Sequence, residues 1–508
     1  MRIINLLKIS AIRQPDCPAC VSGDIKLSYA DLLANVSKLA RELKEIGCEE
    51  GVKVAIVLNN SIEYIICMFA VWAAKGILVP LHGSMTVSEI EHVLHESDTA
   101  IVITDFRGED KLSKLIKDRN LSILIKIHYI PNSDIKIHIN KMSSVLIDEQ
   151  NQDVALMIST SGSTGNPKIV MHRESSLISN MQSFKKAMHF DGHHKVLLSV
   201  KIHHIYCICA QILTHISRND TLITDDAPFF ADDFLKKVED YKVSITAFIP
   251  AMLMLVANYP NPDKYKTSSL QTILCAGANI PRSCIINMKK KYPNVKCVNA
   301  YGLTEAGPRV FLTNPLNSCN FSDNAGKCIP GVNVKILDKC GNELPTGKIG
   351  EIYVKSTGIM KGYYKRPDLT EQTIINGWLR TGDLGKKDKD EKLIIAGRLK
   401  DVINSGGDNI YPAEIEECII EHPDIEKTAV IGKPDRIFQE VPCAFIVCKK
   451  GGNPTSANII KWCKSRLSAY KVPREVIFIR EMPMLSTFKY DKQQLRKMLN
   501  KQIPTPTL

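Results

Sequence analysis

The sequence lacks an apolar run long and clean enough to cross a membrane. Its longest apolar stretch, Tyr64 to Leu81, is broken by Lys75, Gly76 and Pro80. A spanning helix needs about twenty mostly apolar residues in a row. The stretch reads instead as a buried helix from Ile62 to Ala74, a turn, and a strand from Ile77 to Leu81. No stable membrane insertion is expected. Basic runs are missing too, although 66 Lys and Arg outnumber 54 Asp and Glu, for a formal charge of +12. An excess spread this thinly, without aromatic interleaving, argues against a nucleic-acid partner. It suits attraction of small anions. Cys17-Pro18-Ala19-Cys20 has zinc-knuckle spacing, but no second cysteine pair accompanies it, so a structural role is expected. The 16 cysteines are scattered and follow no secretory signal. Reduced thiols in a cytoplasmic protein fit that usage. Met1 to Cys20 is short on Ser and contains Asp16, so no transit peptide is expected. Internal repeats and low-complexity tracts are absent.

With 508 residues, the chain is too long for one ordinary core. Charged residues at 24% and hydrophobic ones at 44% are ordinary for a globular protein. β-branched runs alternate with helical patterns. Val52 to Val57 and Ala100 to Thr104 read as strands, and Val87 to Glu96 reads as an amphipathic helix. This alternation predicts an α/β protein with parallel-rich sheets covered by helices. From about Val332 the character changes. Val334 to Asp338 and Ile349 to Val354 are short strands parted by Gly and Pro turns, and a β-rich subdomain over 332–399 is expected. The charged segment Lys386 to Lys392 reads as a solvated hairpin turn before Leu393 to Gly397. Pro412 to Glu421 reads as a helix, with Pro412 near its first turn and Glu414, Glu416 and Glu417 at its N-terminal end.

The most informative stretch is Ser159-Thr160-Ser161-Gly162-Ser163-Thr164-Gly165-Asn166-Pro167-Lys168. Its glycines let backbone N–H groups turn inward, and its hydroxyls add donors. Lys168 adds a compact positive charge. The set suits a loop that wraps phosphates. It is not a Walker loop, because Asn166-Pro167 precedes the lysine and Ile169 follows it. Further segments come in order: Tyr301-Gly302-Leu303-Thr304-Glu305, Gly377 to Asp383, Gly397-Arg398-Leu399-Lys400-Asp401, and Pro483 to Lys489. Leu27 to Leu32, Gly358 to Tyr363 and Gly406 to Glu416 accompany them. Together these segments resemble the adenylate-forming superfamily. That group includes acyl- and aryl-CoA ligases, adenylation domains of nonribosomal peptide synthesis, and beetle luciferases. The resemblance covers essentially the whole chain. Tyr470-Lys471-Val472-Pro473 is similar to the acyl-CoA ligase branch.

The resemblance implies a large N-terminal domain over 1–399 and a small mobile α+β C-terminal domain over 400–508, hinged at Lys400. It also implies ATP and Mg²⁺ as cofactors, with CoA or a carrier-protein phosphopantetheine as thiol. By resemblance, Thr160, Ser161, Gly162, Ser163, Thr164, Gly165 and Lys168 clamp the β- and γ-phosphates. Gly277 and Ala278 flank adenine opposite Tyr301. Asp383 accepts from both ribose hydroxyls, and Arg398 contacts ribose and phosphate. Thr304 donates to the α-phosphate, and Glu305 holds Mg²⁺. Lys489 bridges the α-phosphate and the substrate carboxylate. His204, within Lys201 to Tyr206, gates the acyl pocket or contacts the carboxylate. Two positions depart from the family pattern: Ile169 and Phe488 stand where glycine is usual.

Peptide-synthetase domains place an Asp near His203 to pair with the substrate ammonium, and histidine supplies no such anion. The expected substrate is therefore a small aliphatic or aryl acid without an α-amino group, in fatty acid or secondary metabolism. The reaction would be ATP-dependent adenylation with pyrophosphate release, then transfer to CoA. Loading a separate carrier protein is one alternative. A non-catalytic adenylate- or acyl-binding protein is another.

Overall fold

A computed structural model describes residues 1–105, 112, 123–129, 135–141, 147–160, 168–278, 280–313, 325–484 and 490–502. Local chemistry explains where its elements begin. Ser28 ends the strand Ile25–Ser28 and caps the helix Tyr29–Glu45. Its hydroxyl accepts from the Asp31 N–H at 3.1 Å, and the Asp31 carboxylate accepts from the Ser28 N–H at 2.9 Å. This reciprocal box satisfies two donors that a helix start otherwise leaves open. Thr86 and Glu89 repeat the device before the helix Val87–Glu96.

Apart from the partly exposed Glu63 in its first turn and Ala73 at its end, the helix Ile62–Ala73 is apolar and buried. Such a helix belongs inside a large protein, not on its surface. Each fully buried Ile or Phe contributes roughly 1.5–3 kcal/mol of transfer free energy. The strand Ile77–His82 follows at once. It lies parallel to Lys53–Leu58, which pairs on its other side with Ile101–Thr104. These strands form the middle of an eight-stranded sheet. Its far edge carries Val154–Thr160, Lys168–Arg173 and Gly362–Tyr363, each antiparallel to its neighbour.

A second sheet of 14 strands has a parallel centre: Thr221–Ile223, Lys195–Leu197, Ile245–Phe248, Thr272–Ala276 and Lys296–Leu303. The expected β-rich region is present, with antiparallel strands Asn333–Leu337, Gly350–Lys355, Trp378–Lys387 and Leu393–Arg398. It is not a separate sheet. Ala325–Cys328 bonds to Gly307–Leu312 on one side and to Leu393–Arg398 on the other, so the ladder runs on unbroken. A third sheet of five strands, packed by the helices Pro412–Ile420, Ser456–Lys464 and Lys492–Gln502, makes the small C-terminal part. The fold is the mixed α/β arrangement expected: a large N-terminal sheet domain and a small C-terminal one.

Ile169 has a structural reason. It pairs with Ser159 across the hairpin and is 5% exposed, packed with Tyr364 in a hydrophobic cluster. The position is extended strand, so glycine's freedom is not needed there. No described helix is long and apolar enough to cross a membrane.

Candidate active site

Asp383 lies on the strand Trp378–Lys387 and is 5% exposed. Its N–H donates to the Thr381 hydroxyl at 3.0 Å. The Tyr301 hydroxyl donates to one carboxylate oxygen at 2.5 Å. Arg398 Nε lies 2.7 Å from the other oxygen. The residues come from three strands, and the register sets two of them opposite each other, Asp383 against Arg398. Each oxygen is thus held by one donor and keeps lone-pair capacity for another. Burial pushes the Tyr301 phenol up, and Asp383 pushes it further. Burial disfavours the Arg398 charge, but Asp383, Tyr301 and Glu305 more than offset this. One face of the Tyr301 ring is stacked on Phe311, with centroids 5.0 Å apart.

Thr304 and Glu305 sit on a single 3₁₀ turn, Thr304–Ala306, at the end of the strand that carries Tyr301. The turn is fixed from two sides. His172 Nε2 lies 2.7 Å from the Thr304 carbonyl, and the Met360 N–H donates to the Glu305 carbonyl at 2.8 Å. His172 is fully buried, and burial lowers its pKa to about 4. The ring is therefore neutral and donates through Nε2. The Glu305 carboxylate accepts from the Tyr363 hydroxyl at 3.0 Å. Lys168 Nζ lies over the same Tyr363 ring, 5.0 Å from its centroid. Tyr363 thereby joins the base of the hairpin between Val154–Thr160 and Lys168–Arg173 to Glu305.

Thr160 and Lys168 are cross-strand partners that close the hairpin, and the Thr160 hydroxyl donates to the Lys168 carbonyl at 3.3 Å. Ser161, Gly162, Ser163, Thr164 and Gly165 lie outside the described residues, as do Lys489 and Phe488. Gly277 follows the strand Thr272–Ala276 with φ +104°, and a Cβ there would meet nothing within 4 Å. That backbone favours glycine and leaves the position open to a ligand. Ala278 beside it is exposed. His204 is half-buried, with its ring 4.0 Å from that of His203, which in turn lies 5.4 Å from His82. Burial and then the neighbouring rings hold His203 well below its ordinary pKa. The structure thus gathers Tyr301, Thr304, Glu305, Lys168, Asp383 and Arg398 around the linked strand ends. His204 stands apart, on the segment of the acyl-pocket resemblance.

Sequence reasoning assigned no role to His172 or Tyr363. Tyr363 stood inside a quoted motif, which was a usable signal. His172 carried none, because one histidine in a strand has many uses.

Lys400 lies in the 3₁₀ turn Leu399–Asp401. Arg496 of the last helix donates to Asp401 at 3.1 Å, tying that helix to the turn. Lys492 Nζ donates to Glu416 at 2.7 Å and to the Val430 carbonyl at 3.1 Å. Gly406 and Gly407, at φ +59° and +94°, turn the chain between Ile403–Ser405 and Asp408–Ile410.

The AMP-binding enzyme family matches residues 7–364, and its C-terminal domain matches residues 414–489. The chain belongs to the AMP-binding enzyme family. A feruloyl-CoA synthase from Amycolatopsis sp is 30% identical over 95% of this chain and 96% of its own. A long-chain-fatty-acid–CoA ligase from Bacillus subtilis (strain 168) is 31% identical over 97% and 93%. Among solved structures, the amide bond synthetase McbA from Marinactinospora thermotolerans is 24% identical. It covers 98% of this chain and 99% of its own, with a TM-score of 0.86, and establishes likeness of fold.

Proposed function

We propose that this chain activates a carboxylic acid lacking an α-amino group as its acyl-adenylate and transfers the acyl group to CoA. The observation that carries the reading is the buried Asp383 carboxylate, braced by Tyr301 and Arg398 yet able to accept from a ribose. A carboxylate oxygen of the substrate attacks the α-phosphorus of ATP, and the bond to the β-phosphate breaks. Pyrophosphate leaves. The thiol then attacks the adenylate carbonyl, AMP departs, and the thiol proton passes to solvent. No protein nucleophile is required. The protein's part is to hold two anions together and stabilise charge on the α-phosphate.

Thr160 to Lys168 would hold the β- and γ-phosphates, and Thr304 the α-phosphate. Gly277, Ala278 and Tyr301 would hold adenine. Glu305 fits Mg²⁺, since it is a carboxylate with no ammonium or guanidinium within ion-pair distance among the described residues. When bound, that ion offsets phosphate charge. Lys489 would bridge the two reacting groups. Lys492 has its ammonium engaged by Glu416, which favours Lys489 for that role. The domains would divide at 399/400, with rotation at Lys400 serving the second step. The printed names of the relatives favour CoA as acceptor over a carrier protein. The reading places the enzyme in the cytoplasm.

Among the described residues, Lys201 to Gln211 offers no carboxylate for an ammonium, and the nearby buried charge is Arg309, of the wrong sign. ATP–pyrophosphate exchange, measured with each acid beside its α-amino analogue, tests the reading. Faster exchange with the amino acids throughout would overturn it.

A further inference from the structure

Four Lys, Arg, Asp or Glu side chains are buried among the described residues: Lys53, Asp220, Arg309 and Asp383. Three have partners of opposite charge. Lys53 meets Asp148 at 2.8 Å, Asp220 meets Arg218 at 3.0 Å, and Asp383 meets Arg398 at 2.7 Å. Arg309 is the exception. It is fully buried. One guanidinium nitrogen donates to the Pro308 carbonyl at 2.8 Å. The Tyr206 hydroxyl interacts with the guanidinium, but no anion among the described residues meets it, and Nε and Nη2 make no well-formed hydrogen bond. A guanidinium does not give up its charge in a protein. Burying one without an anion costs several kcal/mol. A chain that keeps such a group has a use for it.

Its surroundings say which use. The guanidinium lies 4.2 Å from the Tyr206 ring centroid and 4.9 Å from that of Phe184. The Tyr206 hydroxyl is also buried, and the Arg309 guanidinium is the group it interacts with. Tyr206 lies in the helical turn Ile205–Cys207, directly after His203 and His204, the segment read as the acyl-pocket wall. Arg309 lies on Gly307–Leu312, the strand that leaves the Thr304–Ala306 turn. The Asn180 side chain bonds the Arg309 carbonyl at 2.9 Å and so fixes that strand. Aromatic rings partly offset the charge, but they supply no acceptors for Nε and Nη2. A carboxylate does, with two oxygens matched to a guanidinium fork.

We propose that Arg309, with the Tyr206 hydroxyl, recognises a second carboxylate on the substrate, so that the preferred acids are dicarboxylic. This rests on the adenylation reading and names the substrate class within it. The first carboxylate is activated beside Thr304, and the second neutralises Arg309. A monocarboxylic acid of equal length leaves the guanidinium unpaired.

The test uses the full chain and two matched pairs: hexanoic with adipic acid, and cinnamic with 4-carboxycinnamic acid. Pyrophosphate exchange on the wild type is expected to favour the diacid in at least one pair by about 100-fold. Arg309→Met, close in volume, is expected to lose at least tenfold of that preference, and Arg309→Lys to keep part of it. Calorimetric binding of the same acids gives a readout independent of turnover. Absence of exchange with every acid would defeat the adenylation reading, while diacid binding to wild type and not to Arg309→Met would still uphold the subsite. If Arg309→Met fails to fold, the wild-type pairs decide. Equal or better exchange and binding with the monoacid in both pairs overturns the proposal. So does an equal loss for both acids in a folded Arg309→Met.

Discussion

The nucleotide side and the acyl side of this site handle buried polar groups in opposite ways. Around Asp383, each polar atom has a partner within the protein. Around Arg309 and Tyr206, the two buried polar groups have only each other, and among the described residues no anion meets the guanidinium. On the proposed reading the first side would serve the nucleotide, and its donors and acceptors are set before a ligand arrives. Such preorganisation spares reorganisation when charge moves. The second side serves a ligand that differs between relatives. An unmatched group there makes the substrate itself the missing partner, which gives selectivity at the expense of stability.

Several substitutions would break or sharpen that contrast. The largest effect is expected for Lys489→Ala. Adenylate formation should fall about 100- to 1,000-fold, while thioester formation from a presynthesised adenylate is largely spared. Lys492→Ala should be milder in the same two assays, and the reverse order would assign the wrong lysine. Asp383→Asn is expected next. It keeps the shape but leaves Arg398 without its anion, and should raise the KM for ATP by about tenfold to 100-fold. An unchanged KM would remove Asp383 from the nucleotide side. Lys400→Pro should leave pyrophosphate exchange near normal and suppress thiol transfer; equal loss in both assays would point to a static site.

A pH-dependent effect concerns the turn that joins the two sides. His172 and His194 are held neutral, each with a pKa lowered to about 4 by burial. Their unfolded values lie near 6.5. Between those values the unfolded chain binds more protons, so stability rises with pH. The contribution is complete above about pH 6.5 and is lost as pH falls towards 4. Thermal midpoints should be flat above neutrality and drop across that window, and His172→Gln should flatten part of the drop. The smallest change is expected for Ile169→Gly. It should cost about 2–4 kcal/mol in denaturant unfolding and leave adenylation within a few-fold of wild type.

Much of this was legible in the sequence, but not evenly. Ser28 and Asp31 announce a helix start by chemistry that needs nothing distant. The apolar run after Ile62, with Gly76 and Pro80 beyond it, reads as helix, turn and strand. The site motifs read as a set, and six of their positions, Lys168, Tyr301, Thr304, Glu305, Asp383 and Arg398, come to adjoining strands and turns. Other features depend on what packs from afar. Lys168–Arg173 is buried on both faces, which hides His172 from any alternation rule. Arg309 in Gly307–Leu312 reads as one polar residue on a strand face. Its burial comes from Phe184 and Tyr206, each about a hundred residues upstream. The continuity of the large sheet hangs on Ala325–Cys328, four residues with little strand character.

The strand Pro18–Ser22 pairs with Thr221–Ile223, and the Thr221 hydroxyl reaches the Pro18 carbonyl across 203 residues of chain. During synthesis at about 5–20 residues per second, the first hairpin must wait on the order of 10–40 seconds for that partner to emerge. Its apolar face and open ladder edge are exposed to other nascent chains throughout. A hairpin that waits so long for its partner is a natural place for a chaperone to hold the chain.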